Sequence, residues 1–418
     1  MLEWWIQNTL TALLVLIFTI IIILVYFALF VNINWVKGRK FQTGDKDFIL
    51  RNKKRGNLPP VFPNGWYAVS ESSELKKGQV KHVIALGENF AIFRTVSGIV
   101  KILDAYCPHL GANLGQGLVK GECLECPFHH WLFRGDGYCE NIPYSEKVPV
   151  NAKTRTWESC EVNNLIFVWY HAESEEPNWR PQAVPKISNG TWRYQGKNEF
   201  YVNSHIQDIP ENGADVAHLN TVHGPAMFLN NIFPGLMRHS WSDAKWMACK
   251  NDSEIQEIPQ TDGTVSNGIN RKKSCETMQK HKAILHLKHS LILLEKFKLL
   301  ELSVKAVQIG PGYVELQLDS FWGSMYILQT VTPVEPMLQR ITHHMYSSRS
   351  LGPYAKIVII GETLMFQRDI EIWNNKTFTK TPLLVKQDRA ITEFRKWYSQ
   401  FYSDNSPTFQ TASKSLDW

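Results

Sequence analysis

Two short segments constrain the fold of this chain most strongly, because together they offer four metal ligands at a narrow spacing. The first is Cys107-Pro-His109, and sixteen residues later comes Cys126-Pro-Phe-His129. Two thiolates and two imidazoles suit either a tetrahedral Zn²⁺ ion or a [2Fe–2S] cluster with two Cys on one iron and two His on the other. With one residue between them, Cys107 and His109 reach a single ion only awkwardly, and two separate irons remove that difficulty. We therefore favour the cluster.

A second candidate metal site follows, with its first His eighty-nine residues after His129. The segment ENGADVAHLNTVH contains Asp215, His218 and His223, on a helix predicted over residues 213–224. Two His five residues apart can converge on one ion, and a carboxylate would complete a facial triad that leaves positions open for O2. That carboxylate must come from elsewhere in the chain.

The N-terminal region contains an uninterrupted apolar segment. Residues 10–31 read LTALLVLIFTIIIILVYFALFV, without a charge. As a helix they would span about 33 Å, enough for a hydrocarbon core of about 30 Å, and Trp4, Trp5 and Trp35 lie where interfacial aromatic residues are common. A cleaved signal peptide is the alternative, but no basic segment precedes the apolar one and no small-residue cleavage site follows it. We predict a single membrane span.

The positive charge of the chain is concentrated directly after this span. The formal net charge is +6, and residues 37–56 alone contribute +6 through eight basic side chains against Asp45 and Asp47. By the positive-inside rule, the bulk of the protein faces the cytosol and the N-terminus is lumenal or external. The basic segment either contacts anionic lipid headgroups or is a solvated linker. The remainder is nearly neutral, which argues against nucleic-acid binding.

The cysteines argue against a disulfide scaffold. Seven Cys is an odd number spread over 418 residues, as expected for thiols kept reduced in the cytosol. Cys123 forms a C-x-x-C pair with Cys126, but Cys126 already has a role, so we interpret Cys123 as a bystander. The His residues outside the two motifs, including His239, His289 and His343, follow no ligand spacing and are interpreted as surface or satisfied core groups.

Short alternating segments predict a small β domain from about residue 60 to 180. Residues 90–93 and 99–102 flank a Ser-Gly pair in a hairpin-like pattern, and residues 164–169 form another strand candidate.

The motifs resemble a known protein family. The segments AYCPHLGANLGQG and CPFHHWLFRGDG resemble the Rieske fingerprint, and Glu211 to His223 fits the D/E-x3-D-x2-H-x4-H signature of Rieske non-haem iron oxygenases. Ala112 stands where Rieske proteins of respiratory complexes have an extra Cys, which favours the oxygenase type. His130 stands where bacterial ring-hydroxylating oxygenases usually have Gly, and the C-x2-H spacing selects His129 as the ligand.

With the apolar segment and the late stretch QRDIEIWNNK, these motifs resemble the cholesterol 7-desaturase (Neverland) family over roughly residues 57–400. Bacterial 3-ketosteroid 9α-hydroxylase is a soluble relative with a similar late stretch.

The resemblance implies a set of site residues. The cluster ligands would be Cys107, His109, Cys126 and His129, and the mononuclear Fe(II) ligands His218, His223 and Asp369, with Glu362 and Glu371 as rivals of Asp369. Asp215 would hydrogen-bond an iron-ligand His and, across a subunit boundary, a cluster-ligand His of the neighbour. Electrons would then pass between subunits, which implies a homotrimer.

The resemblance also implies an activity. The enzyme would introduce the C7–C8 double bond into cholesterol, giving 7-dehydrocholesterol, and would use O2 and electrons from NAD(P)H. A separate reductase would supply these electrons, since the chain has no GxGxxG or flavin-binding pattern. The protein would be a single-pass membrane protein of the endoplasmic reticulum. The alternative is a Rieske sterol or steroid hydroxylase of the same architecture. A pure electron-transfer Rieske subunit would leave His218 and His223 unexplained, and chloroplast-type oxygenases tend to carry membrane segments near the C-terminus.

The expected fold class is α+β. It combines an N-terminal transmembrane helix, an antiparallel β Rieske domain and an α+β, helix-grip-like catalytic domain with an antiparallel sheet. The expected division is a lumenal tip and anchor at residues 1–36, a basic linker at 37–59, the Rieske [2Fe–2S] domain at 60–180, the mononuclear-iron domain at 181–405 and a tail at 406–418.

Overall fold

A computed structural model describes residues 2–36, 55–225, 236–249 and 279–416, without the side chains of residues 2–10 and 415–416. Most of the predicted basic linker therefore lies outside the described residues, as does Cys275.

The predicted N-terminal helix is present. Helix α1 (Leu2–Phe30) is followed by strand β1 (Ile33–Val36). From Thr11 to Phe30 the mean hydropathy is 3.2 and none of the segment is buried. In the described part of the chain, it is the one helix long and apolar enough to cross a membrane. Its length and composition fit a membrane anchor or a signal sequence.

The next part of the chain is an all-β Rieske-type domain. Among the described residues its strands are β2 (Gly65–Glu71), β3 (Val80–Ala85), β4 (Glu88–Arg94), β5 (Val100–Asp104), β6 (Leu118–Lys120), β7 (Cys123–Glu125), β8 (Leu132–Arg134), β9 (Cys139–Asn141), β10 (Thr156–Trp157), β11 (Ser159–Val162) and β12 (Leu165–Tyr170). They form three antiparallel sheets, in the orders β10-β5-β4-β3, β11-β12-β2 and β6-β7-β8-β9. The predicted hairpin is β4–β5, and the predicted strand at 164–169 is β12. The first loop with candidate cluster ligands lies between β5 and β6, and the second connects β7 to β8.

The catalytic domain is α+β, as expected. In the described residues its elements are α2 (Pro185–Ser188), β13 (Arg193–Val202), α3 (Asp208–Glu211), α4 (Val216–Val222), β14 (Met237–Ala248), β15 (Lys282–Leu293), β16 (Phe297–Ile309), β17 (Tyr313–Ser320), β18 (Gly323–Glu335), β19 (Leu338–Ser347), α5 (Gly352–Asn375), α6 (Arg389–Tyr398) and α7 (Phe409–Leu416). The sheet order is β1-β13-β19-β18-β17-β16-β15-β14, antiparallel except for the edge strand β1, which runs parallel to β13. Helix α5 packs against β13 and β19, which positions one of its faces over the sheet.

The Rieske-type and catalytic domains share one hydrophobic core. Val69 and Phe90 from the first domain belong to the same buried cluster as Phe200, Val331 and Ile341 from the second. Burying this apolar surface stabilises the pair as a unit, at roughly 25 cal/mol per Å² removed from water.

An ion cluster also crosses this boundary. The Glu71 carboxylate pairs with Lys197 and lies 3.2 Å from His344 Nε2. Burial acts to raise the pKa of Glu71, but His344 and Lys197 outweigh it and lower the pKa to about 2. The Glu71 carboxylate therefore stays charged, and the contact between the domains persists, over the whole neutral range.

Candidate metal centres

The two loops with the candidate cluster ligands have the same backbone geometry. The amide of Cys107 donates to Ala112 O at 2.9 Å, and the amide of Gly111 donates back to Cys107 O at 2.9 Å. In the second loop, Cys126 N donates to Trp131 O at 2.8 Å and His130 N to Cys126 O at 3.2 Å. Each loop thus presents its Cys at the start of a tight turn whose fifth residue has a positive φ.

His130 occupies a position that favours glycine. Its φ is 58°, and the equivalent residue of the first loop, Gly111, has a φ of 73°. A residue with a Cβ pays roughly 1 kcal/mol or more in this region, and the exposed contact of His130 with Glu125 at 3.3 Å offsets little of that cost.

We expect His130→Gly to raise the free energy of unfolding by about 0.5–1 kcal/mol, because glycine enters this turn without strain but also enlarges the entropy of the unfolded chain. Denaturant titration of the purified variant measures the change. His130→Ala, which loses the Glu125 contact but keeps the strain, is the matched control and should give no gain. A His130→Gly variant less stable than the native chain would contradict the explanation.

The four candidate cluster ligands come from the two loops. The thiols of Cys107 and Cys126 are both buried, and the rings of His109 and His129 lie 4.6 Å apart, centroid to centroid. The Nδ1 atom of His129 is buried without a hydrogen-bond partner, which is costly unless a metal binds it. Trp131 stacks on His109 at 4.6 Å and orients its ring. The residues fit the group.

Cys123 has a different partner. Its thiol contacts Glu140 Oε2 at 2.7 Å, in agreement with its interpretation as a bystander.

Helix α4 positions the two His of the second site. Asp215 is its N-cap, with Oδ1 accepting from the amide of His218 at 3.3 Å, and His223 is its C-cap. The helix is shorter than the predicted 213–224, because its first turn starts only after the cap. One helix thereby carries both His to the same side, and the His218 ring turns back so that Nδ1 contacts the carbonyl oxygen of Asp215.

The structure brings His218, His223 and Asp369 together. One ligand atom of each lies within 4.8 Å of the other two, and His223 Nε2 is 3.3 Å from Asp369 Oδ2. His223 and Asp369 are buried, and the Nδ1 atom of His223 has no hydrogen-bond partner. Two imidazoles and one carboxylate at a cavity wall are the donor set of a non-haem Fe(II) site with open positions. The residues fit this ion.

The two rival carboxylates are elsewhere. Glu371 is exposed on the outer face of α5. Glu362 is two turns before Asp369 and accepts from Asn198, with His343 Nδ1 at 3.3 Å from its other oxygen. Burial raises the pKa of Glu362 to about 8, so this carboxyl is neutral at pH 7. Of the three acids, only Asp369 reaches the two His.

Arg368 is a positioning residue that the sequence motifs did not indicate. Its guanidinium donates to the carbonyl oxygens of Val222 at 2.9 Å and Pro225 at 3.0 Å. These carbonyls flank His223, so Arg368 holds the end of α4 against α5 directly beside Asp369.

A cavity of about 380 Å³ extends from the three candidate ligands along α5. This is within the usual range for a small-molecule pocket. Most of its wall is apolar and comes from β15 to β18 and α5, for example Leu287, Leu302, Leu318, Ile327 and Met365.

Two His outside the motifs also line this cavity. His239 Nδ1 and His289 Nε2 are 2.8 Å apart. Burial lowers the pKa of His289 to about 3, so this ring is neutral. The interpretation of these two as ordinary surface or core groups overlooked their place in the pocket wall. No spacing reveals it, because β14 and β15 come together only in the sheet.

Comparison with family models agrees with the two-domain description. Residues 65–153 match the Rieske [2Fe-2S] domain, and residues 168–402 match the 3-ketosteroid 9alpha-hydroxylase C-terminal domain.

Curated relatives cover most of the chain. Cholesterol 7-desaturase nvd 1 of Ciona intestinalis is 42% identical, over 95% of this chain and 83% of its own length. Cholesterol 7-desaturase nvd of Drosophila melanogaster is 44% identical, over 88% of this chain and 81% of its own. A probable 3-ketosteroid-9-alpha-monooxygenase oxygenase component of Rhodococcus rhodochrous is 29% identical, over 86% and 85%.

Solved structures share the fold. Dicamba monooxygenase superposes with a TM-score of 0.53 at 14% identity, covering 82% of this chain and 98% of its own. Pseudomonas putida NdmA with caffeine superposes with a TM-score of 0.56 at 16% identity, covering 84% and 94%.

Proposed function

The chain belongs to the cholesterol 7-desaturase family of Rieske oxygenases, and from this premise we propose that it introduces the C7–C8 double bond into cholesterol, with O2 and electrons drawn from NAD(P)H by a separate reductase. The observation that carries the proposal is the triad His218, His223 and Asp369 in the wall of a largely apolar cavity. A sterol is a rigid, nearly apolar body that such walls can enclose.

In this proposal Cys107, His109, Cys126 and His129 hold the [2Fe–2S] cluster, and the triad holds the Fe(II) ion. When bound, the cluster supplies single electrons and the ferrous ion activates O2. The chain's own side chains position the substrate and exclude water from the cavity. The Leu and Ile side chains orient the sterol rings, and the neutral Glu362 and His289 add no charge to the cavity wall.

A sterol or steroid hydroxylase is the second candidate. The C-terminal family match and the Rhodococcus relative favour it, and the same ligands and cavity would serve it. The product alone separates the two reactions.

Mass spectrometry of sterols from cells that express the chain and receive labelled cholesterol tests the proposal. We expect a product lighter by two hydrogens, with the absorbance of a conjugated diene. Cells expressing Asp369→Ala are the control and should show unchanged cholesterol. A product heavier by one oxygen atom would assign the chain to the hydroxylases.

The electron path between the two metal centres is the next part of the proposal. Among the described residues, no hydrogen bond, ion pair or ring contact joins His109 or His129 to His218 or His223. Both cluster His rings are half-buried, next to the exposed Phe128. This surface is free to face a second subunit, which supports a homotrimer in which the half-buried Asp215 hydrogen-bonds a cluster-ligand His of the neighbour.

Asp215→Asn tests this role without unfolding α4, because Asn and Asp are equally good N-caps. Both iron sites should remain loaded while steady-state turnover falls by about a hundredfold, since only the charged hydrogen-bond acceptor is lost. Rapid mixing of the reduced enzyme with O2 and sterol should leave the cluster reduced. Normal turnover would exclude Asp215 from the path.

The proposal also includes location. Helix α1 would anchor the enzyme in the endoplasmic reticulum, with the catalytic part in the cytosol as the basic residues after the helix indicate. Cholesterol resides in that bilayer, so the anchor keeps the enzyme beside its substrate.

A further inference from the structure

Helix α1 is attached to the catalytic domain at its C-terminal end. The Lys356 side chain of α5 is buried, and its Nζ donates to Ala28 O at 2.7 Å and Phe27 O at 3.4 Å. Both are among the last carbonyls of α1, where the partial negative charge of the helix is concentrated; Phe27 O also accepts from Val31 N at 3.2 Å. The Arg349 guanidinium lies 5.1 Å from the ring centroid of Phe30. A buried cation thus ties the end of α1 to the start of α5.

The strand that follows α1 strengthens this attachment. β1 pairs with β13 from Ile33 opposite Gly196 onward, and the Tyr194 hydroxyl donates to Asn34 Oδ1 at 2.7 Å. At position 196 a Cβ would lie 1.9 Å from Ile33 O, so the pairing requires glycine there. The orientation of α1 relative to the sheet is therefore defined.

The pairing registers show which end of the sheet α1 approaches. Gly196 pairs with Met345, and Met345 pairs with Ile327. Residues 33, 196, 345 and 327 therefore lie side by side across the sheet. Helix α1 comes before residue 33 and the β17–β18 turn comes before residue 327, and the registers place both at the same end of the sheet. The β15–β16 turn lies at the same end, because β16 and β17 are antiparallel neighbours. The opposite end of β17 and β18 packs on β2 of the Rieske-type domain.

This end of the sheet carries unusually exposed apolar side chains. Phe321 is 97% exposed, Ile357 68% and Trp322 59%, and the Trp322 ring packs at 5.2 Å on Tyr354. We call this set the tip surface; it comprises Leu294, Phe297, Leu299, Phe321, Trp322 and Ile357. Large apolar groups grouped in this way indicate an interaction surface.

The tip surface adjoins the cavity through Ile357. Ile357 and Tyr354 line the cavity, and twelve residues of α5, about 18 Å of helix, separate Ile357 from Asp369. The cavity thus connects the level of the tip surface with that of the triad.

We propose that the tip surface lies in the headgroup and upper acyl region of the bilayer that contains α1, and that the sterol moves from the bilayer into the cavity without crossing water. The twenty residues of α1 from Thr11 to Phe30, with a mean hydropathy of 3.2 and none of them buried, require a lipid environment, and the tip surface continues from the end at which α1 is fixed. Exposed Trp and Phe side chains suit that interfacial depth. The sterol transfer rests on the proposed function; the lipid contact does not.

The lipid contact is tested with the full chain in liposomes. An environment-sensitive fluorescent amino acid is placed at position 321 and, as a matched control, at position 150, where Val150 of the Rieske-type domain is 94% exposed. We expect a blue shift at 321, with quenching by lipids brominated in the upper acyl chain, and neither at 150. Equal emission at both sites would overturn the proposal. If the blue shift at 321 depends on protein density and the brominated lipids do not quench the emission, the tip surface contacts a second copy of the chain. That result would also overturn the proposal.

Sterol transfer is tested with Phe321→Ser/Trp322→Ser, two residues that do not line the cavity. The KM for cholesterol in liposomes should rise about tenfold, with turnover unchanged for cholesterol delivered by cyclodextrin; Val150→Ser should match the native chain in both assays. Equal KM values in liposomes would overturn direct transfer. A native chain that turns over no sterol in either format would reject the proposed function, while the fluorescence result would still decide the lipid contact.

Discussion

Cys126→Ser is expected to abolish both the visible absorption of the cluster and all turnover. A serine hydroxyl is a much poorer iron ligand than a thiolate, and the position is buried, so water cannot replace the lost ligand. The chain offers a close control: Cys123 is three residues earlier and also buried, but its thiol contacts Glu140. Cys123→Ser should keep the absorption spectrum and the rate.

Metal analysis of the same two variants distinguishes an iron–sulfur cluster from a zinc ion at this site. The native chain should contain iron and acid-labile sulfide at this site, and Cys126→Ser should lose both. Zinc in place of iron would favour the tetrahedral ion. Loss of the cluster in Cys123→Ser instead would transfer the ligand role to that residue.

Asp369→Ala should remove the mononuclear iron and leave the cluster intact. Iron per chain should fall from about three to about two, with an unchanged cluster spectrum and turnover reduced more than a hundredfold, because two imidazoles alone bind Fe(II) weakly. Glu371→Ala changes an exposed acid on the same helix and should retain iron and activity. Glu362→Gln, which preserves the neutral form of that half-buried side chain, should retain iron.

Retained iron in Asp369→Ala would move the carboxylate ligand to Glu362 or Glu371.

A combination of the two inactive variants, Cys126→Ser and Asp369→Ala, tests the proposed electron path. In a ring where one subunit serves the next, mixed assemblies of Cys126→Ser and Asp369→Ala chains pair an intact cluster with an intact iron site and regain activity. Mixtures that stay inactive would favour a path within one subunit.

The sequence could show which candidate His and Cys lie close to one another wherever the pair is local. Cys107 and His109 lie on one turn, and His218 and His223 on one short helix, so their spacing in the chain already determines their distance in space. The carboxylate is different. The helical periodicity excludes Glu371 as the ligand, because a residue two positions from Asp369 lies on another face of the helix. It does not distinguish Asp369 from Glu362, because residues seven positions apart lie on the same face. Only the packed sheet shows that Glu362 is occupied by Asn198 and His343.

The features that the sequence did not reveal all depend on distant segments. The parallel pairing of β1 with β13 joins residues more than 160 positions apart, and Arg368 reaches carbonyls about 145 residues earlier. His239 and His289 meet across two neighbouring strands. Local periodicity carries no information on such contacts, because the final sheet order determines them.

The hydrophobic core that the Rieske-type and catalytic domains share limits how such a protein can be rebuilt. Val69 and Phe90 on one side and Phe200 and Val331 on the other are buried against a common interior. Cutting the chain between them would expose apolar surface on both pieces and leave Glu71 without His344 and Lys197. Chimeras that exchange one domain between relatives would have to transplant the matching half of that interior as well, so recombination at the boundary should succeed mainly between chains whose two halves have packed together throughout their history.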